Sequence, residues 1–269
     1  MTHSSESIPG AHPYADAYPA EAMPVRAYQK VLDWVEAELR TGNLRVGDQL
    51  PGERALAETH GISRASVRDA IRTLEVMGLV RTSSGSGPKS GAILISRPAQ
   101  GMAMMLRMHL ASAGLHTQDV IEVRALLESW AASVADLDTL PDGGQALLGQ
   151  GSDLLEAMED PDLDRASFQT LDTQFHLVLA RLAGNRVVDA MMASLKDAIT
   201  DYVAVRASTD ETWGGVVPGL REQHRRIFDA ASNGRGAEAA ALLREHIEWF
   251  YAQTLGNGPD QDEPELRLP

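Results

Sequence analysis

Beyond Arg97-Pro98 the sequence holds no stretch that alternates apolar and polar residues, so there is nothing there to build a sheet from. Apolar residues recur instead at helical spacing over 100–114, 117–136, 143–159, 162–183, 186–207, 215–232 and 235–254. The separators are short and carry Gly, Pro or Asp: 138–144, Asp160-Pro161, Gly184-Asn185, 209–215 and Asn233-Gly234. Helices of about twenty residues joined by short turns predict an antiparallel all-α bundle over 98–255. There is no internal repeat, and the polar end, 256–269, is expected to be a flexible tail.

A chain of 269 residues is about right for two domains. With 43% hydrophobic and 23% charged residues it is neither disordered nor fibrous. The absence of cysteine excludes disulfides, thiol catalysis and zinc–thiolate sites. No apolar run approaches the roughly 18 residues of a membrane helix, so no membrane partner is expected. Residues 1–24 lack the basic start and apolar core of a signal peptide, and are expected to be a flexible tail on a cytoplasmic protein.

The net charge of −14 hides a split. Residues 25–97 carry 11 Lys and Arg against 8 Asp and Glu, whereas 98–269 carry 13 against 27. A basic segment attached to an acidic body points to an anionic partner for the segment alone.

Within the basic segment, Tyr28, Val31, Leu32, Val35 and Leu39 recur at helical spacing and stop near Thr41-Gly42-Asn43. A second helix runs to about His60, which is read as local structure. After Gly61-Ile62, Ser63 is a good N-cap for a third helix. There Val67, Ala70, Ile71 and Leu74 form an inward face, while Arg64, Arg68 and Arg72 recur every four residues on another. Two short strands follow, 79–82 and 92–95, around a Gly- and Ser-rich loop with Lys89. Three helices and a hairpin predict a winged helix-turn-helix, whose third helix enters the major groove of DNA. Arg can specify guanine through paired hydrogen bonds, and Lys89 with the wing would lie along phosphates. An Arg stripe alone could be a solvated face; the helix pair, cap and basic hairpin together favour DNA.

The run LRVGDQLPGERALAETHGISRASVRDAIRTLEVMGLV resembles the DNA-binding domain of the GntR family of bacterial transcription regulators. The resemblance implies DNA contacts at Arg54, Arg64, Arg68 and the wing glycine Gly87, with Ser66 and Lys89 completing the candidate set. Gly52 stands where the family usually has Ser, and the wing, SSGSGPKSGA, is longer than the usual family turn.

Four polar residues are out of place in the bundle. Asp172 and His176 lie, one turn apart, on the broad face of Phe168, Leu171, Phe175, Leu179 and Leu182. His224 interrupts Leu220, Ile227 and Phe228; His246 interrupts Leu242, Leu243 and Phe250. Buried imidazoles and carboxylates need partners. His224 and His246 each lie 11 residues from Arg235, roughly 16 Å along a helix, so an antiparallel hairpin sets them side by side. Three imidazoles and a carboxylate at one level suit zinc, with nickel or manganese as alternatives. The competing reading is a core hydrogen-bond network.

DVIEVRALLESWAASVA, LDTQFHLVLARLAGN, EQHRRIFDAASNG and LREHIEWF resemble the FCD ligand domain of the FadR-like GntR branch. That resemblance implies a divalent metal held by Asp172, His176, His224 and His246, and a small carboxylate effector completing its shell. It places an effector-binding Arg at Arg124, for which an ion pair with Glu128 is an equal alternative. It also implies a mostly α homodimer acting on an inverted-repeat operator, repression relieved by effector being the commoner family behaviour. Asn185 matches the family's GN turn and reads as a helix cap. Two other functions compete: a metal-free regulator of a ligand such as acyl-CoA, and a metal-dependent helical hydrolase or lyase. The second leaves the DNA-binding segment without a role.

Overall fold

The computed structural model describes residues 26–83, 91–112, 114–139, 143–206 and 210–255. The expected tails and the candidate wing residues Gly87 and Lys89 lie outside the described residues. The chain divides into two compact units, one taking the residues up to Leu74 with Thr82–Leu94, the other Glu75–Arg81 with the residues from Ile95 onward.

The first unit holds α1 (Gln29–Thr41), α2 (Glu53–His60), α3 (Arg64–Val76) up to Leu74, and the hairpin of β1 (Val80–Ser83) and β2 (Gly91–Leu94) apart from Val80 and Arg81. An antiparallel bridge from Gln49 to Ile93 adds a third short strand segment. Val31, Val35, Leu56, Ala57, Val67, Ala70 and Leu74 are buried, the inner faces that helical spacing demands. Ile71 is only half-buried. Gly52 begins α2 without a side-chain cap. Ser63 caps α3, its hydroxyl accepting from the Ser66 amide at 3.0 Å. The His60 ring packs 5.5 Å from Trp34, the local structural role expected of it.

The second unit is all helical: α4 (Pro98–Ala111), α5 (Thr117–Val134), α6 (Gly144–Met158), α7 (Arg165–Leu182), α8 (Arg186–Arg206), α9 (Asp210–Ser232) and α10 (Gly236–Leu255). Asp164 caps α7 by accepting from the Ser167 amide, and Asn185 caps α8 by accepting from Val187 and Val188. Among the described residues no helix is long and apolar enough to cross a membrane.

One expected separator is overturned. The sequence predicts a break over 209–215, yet α9 starts at Asp210 and runs through Gly214, Gly215 and Pro218. Trp213 packs edge-on against Phe168 at 5.6 Å, so tertiary burial rewards the added turns. Pro218 has no amide hydrogen to donate to the Gly214 carbonyl four residues earlier, so the helix continues there at the cost of one backbone bond.

Two apolar clusters fill this unit. One gathers Met158, Phe168, Phe175, Leu179, Leu220, Ile227 and Leu243, the other Val120, Ile121, Met192, Leu195, Ile199, Ile247 and Tyr251. Helices α7 and α10 supply both, so their shared faces lie at the seam between them. Arg221 ties α9 to the end of α6, donating to the Met158 and Asp160 carbonyls at 2.7 Å.

The α9–α10 turn is tightly specified. Gly234 adopts φ 71°, and the amides of Gly234 and Arg235 return to the Ala231 and Ala230 carbonyls. The Arg235 guanidinium pairs with Asp229 on α9 and Glu238 on α10. Where α10 begins, a Cβ on Gly236 would stand 2.8 Å from the Ala132 carbonyl oxygen of α5. Gly236→Ala is therefore expected to lower unfolding free energy by about 1–3 kcal/mol, seen as a lower urea midpoint at unchanged m-value.

Candidate metal centre

Helix α7 carries Asp172 and His176 one turn apart, α9 carries His224, and α10 carries His246. One ligand atom from each lies within 4.8 Å of all the others. His176 and His224 are wholly buried, His246 nearly so, and Asp172 keeps about a fifth of its side chain exposed. The rings of His224 and His246 stand 4.7 Å apart, side by side as their equal distance from Arg235 predicts.

Each outer atom but one is held by a second residue. The His176 Nδ1–H donates to Glu128 Oε2 at 2.5 Å, and the His246 Nδ1–H donates to Gln223 Oε1 at 2.8 Å. Both partners can only accept there, so each ring turns a lone pair on Nε2 inward. Lys196 donates to Asp172 Oδ2 at 2.8 Å, leaving Oδ1 facing His224 Nε2 at 3.2 Å and His176 Nε2 at 3.4 Å. Phe175 lies 4.9 Å from the His224 ring.

The inner nitrogens are the telling atoms. Among the described residues, His176 Nε2 and both nitrogens of His224 are buried with no hydrogen-bond partner of good geometry. Such atoms normally find partners, and leaving them without costs free energy. A closed hydrogen-bond network would satisfy them. Three imidazoles and a carboxylate around a common point fit a borderline divalent cation instead, and outer partners that orient each ligand are the usual companions of such a site.

Burial pushes the Glu128 carboxyl up, but Arg124 and His176 outweigh it and hold it well below the usual range. Burial acts likewise on Asp172 and is outweighed by Lys196 and His176, leaving it well below its ordinary value. Burial lowers Lys196, with Arg124 adding and Asp172 and Glu128 opposing. Burial also lowers His224, and it lowers His246 further, where the neighbouring His224 and His176 add to it.

Arg124 lies in α5, buried, donating from Nε to Glu128 at 2.5 Å and from Nη1 to the Tyr251 hydroxyl at 3.1 Å. The ion pair with Glu128 is thus present. Glu128 links Arg124 to His176, a role invisible in the spacing of α5 alone. Lys196, Gln223 and Tyr251 escape a reading of the sequence. Lys196 does carry a signal there, a cation between Met192, Leu195 and Ile199 on a helix face that is otherwise apolar.

In the first unit Arg54, Arg64, Arg68 and Arg72 are exposed. Arg54 pairs with Glu58 at 2.9 Å, and Glu53 sits 3.6–3.7 Å from Arg64 and Arg68. Such surface pairs contribute little and exchange readily for a phosphate or base. The Ser66 hydroxyl meets that of Ser63 at 3.0 Å.

The lowered groups all titrate in one direction. His246, ordinarily near 6.5, and Glu128, ordinarily near 4.5, bind protons more readily unfolded than folded. Their stability is complete above those values and is lost as pH falls toward the folded ones. The metal-free protein is expected to lose Tm progressively below about pH 6.5, most steeply below about 4.5, in a calorimetric pH series.

The FCD domain pattern matches residues 119–248, and that of the bacterial regulatory proteins of the gntR family matches 27–89. The HTH-type transcriptional regulator LutR of Bacillus subtilis (strain 168) is 29% identical over 78% of this chain and 92% of its own length. The protein named "Putative L-lactate dehydrogenase operon regulatory protein" of Escherichia coli (strain K12) is 26% identical over 89% of this chain and 90% of its own. The Glc operon transcriptional activator of the same organism is 26% identical, covering 81% and 84%. Among solved structures, Streptococcus agalactiae GntR shares the fold with a TM-score of 0.59 at 23% identity, over 83% of this chain and 97% of that one. The chain belongs to the GntR family of bacterial regulatory proteins, as a DNA-binding transcription regulator with an FCD domain and not as an enzyme.

Proposed function

We propose that this chain is a metal-dependent sensor of a small carboxylate that controls a metabolic operon. The carrying observation is the convergence of Asp172, His176, His224 and His246 with buried imidazole nitrogens that lack a hydrogen-bond partner of good geometry among the described residues. These four residues would hold one divalent transition metal, zinc first, with nickel or manganese as alternatives. A bound metal would supply Lewis-acid charge that could attract a carboxylate with an adjacent hydroxyl. Arg124 is the proposed anchor for the effector carboxylate, through the N–H groups that Glu128 and Tyr251 do not use. A relative named for the L-lactate dehydrogenase operon favours a small hydroxycarboxylate as the class.

Residues 25–97 would carry DNA binding and 98–255 sensing, with 1–24 and 256–269 as tails on a cytoplasmic protein. Arg64 and Arg68 on α3 would meet base edges and phosphates, with Arg54, Ser66, Gly87 and Lys89 supporting. The chain would act as a homodimer on an inverted-repeat operator, repressing until the effector binds. That response requires the effector to have different affinities for two states of the protein, so operator DNA must change effector affinity by the same factor.

Elemental analysis of the purified full-length chain tests the metal site. About one transition metal per chain is expected, lost in the Asp172→Ala/His176→Ala double variant, with operator binding kept. No metal in the wild type, even after loading with zinc, nickel or manganese, would make the four residues a hydrogen-bond network. Arg68→Ala is expected to cost about 1–3 kcal/mol at a single operator position in binding to a set of operator variants. Equal weakening across all variants would reduce Arg68 to a phosphate contact.

A further inference from the structure

Lys196 has no place in the ligand set, yet it is among the most buried charged residues described, with 5% of its side chain exposed. Helix α8 presents it between Met192, Leu195 and Ile199, all buried. A lone ammonium there would carry a large desolvation cost, so its partner matters. One partner is Asp172 Oδ2 at 2.8 Å, the far oxygen of a ligand whose other oxygen faces His176 and His224.

The balance of charge around the site follows from these pairs. Asp172 and Glu128 are anionic and Lys196 and Arg124 cationic, two carboxylates against two cations. Without Lys196 the buried set would carry one uncompensated negative charge and Asp172 would lose its ammonium partner on Oδ2. With it, the set is neutral before any metal arrives. A divalent cation entering a neutral set that contains an ammonium on one of its own ligands is held less tightly than one entering an anionic set. The same ammonium draws electron density from Asp172 and commits one oxygen, so that the other alone points inward.

Resting on the metal-site reading above, we infer that Lys196 is the site's resident counter-cation: a positioning residue that keeps Asp172 aimed inward and weakens the metal enough for it to exchange. Removing the ammonium should therefore tighten metal binding, the reverse of what losing a structural residue does. Loss of a merely structural lysine would lower Tm and leave metal affinity unchanged or weaker.

The experiment uses the full chain and its Lys196→Gln variant, which can still donate to Asp172 but carries no charge. Zinc affinity is measured by competition with a chromophoric chelator, and Tm is measured with and without zinc. The variant is expected to bind zinc about 10- to 100-fold more tightly, the order expected when one like charge near the cation is removed in a partly screened site. Its Tm should fall without zinc and rise further than that of the wild type on adding it. Zinc affinity equal to or weaker than the wild type overturns the inference while leaving the metal site standing. A wild-type chain that takes up no zinc, nickel or manganese overturns the site itself. If Lys196→Gln does not fold, Lys196→Gln/Glu128→Gln decides. It balances the charges again, and its zinc affinity is compared with that of Glu128→Gln: tighter binding in the double variant is expected, and equal or weaker binding would overturn the inference.

Discussion

Packing three imidazoles and two carboxylates into a helical interior is the constraint on which the rest of the second unit depends. Each such group loses hydration, and none can recover it from aliphatic neighbours. The protein answers with pairing on every side but one: Glu128 for His176, Gln223 for His246 and Lys196 for Asp172. Of the three histidines, His224 alone has no outer partner among the described residues, and Phe175 covers its ring. The outward bonds determine which nitrogen of each paired ring is left to point inward. Specificity of this kind comes from satisfied bonds around a ligand as much as from the ligand itself.

That arrangement needs its helices in register to within a fraction of a turn. The α9–α10 hairpin achieves it through a turn that cannot slip: a left-handed Gly234, two returning backbone bonds, and Arg235 braced between Asp229 and Glu238. Sliding either helix by one residue would rotate its histidine by about 100° and remove it from the site. Helix α7 needs no such device, because Asp172 and His176 share one helix and their spacing is covalent. Glu128 then ties α5 to α7 while Arg124 ties α5 to α10 through Tyr251, so the polar seam between the two apolar clusters also joins the helices that line it.

The first unit is arranged the opposite way. Its interior is apolar and its chemistry is outside, on arginines paired with carboxylates that solvent screens. Weak pairs hold guanidinium groups in extended positions yet release them at little cost when a stronger anion is offered. Ser63 at the start of α3 commits its hydroxyl to the backbone, which shapes the helix end from which Arg64 projects.

Most of the helices, the winged hairpin and all four inward residues are legible in the amino-acid sequence, because helical periodicity, caps and i,i+4 spacing are local and repeat along the chain. Even the pairing of His224 with His246 follows from counting to a turn. What cannot be read there are the partners contributed by other helices. Glu128 is visible only as a neighbour of Arg124, Lys196 only as a cation on an apolar face, and Gln223 and Tyr251 pass as ordinary helix residues. The start of α9 escapes for the same reason: Gly214, Gly215 and Pro218 speak locally for a break, and the packing of Trp213 on Phe168 overrides them. The order of residues alone dictates which side chains turn inward. What each one meets there is decided by the packed helices, because burial and charge pairing depend on segments that are far apart in the chain.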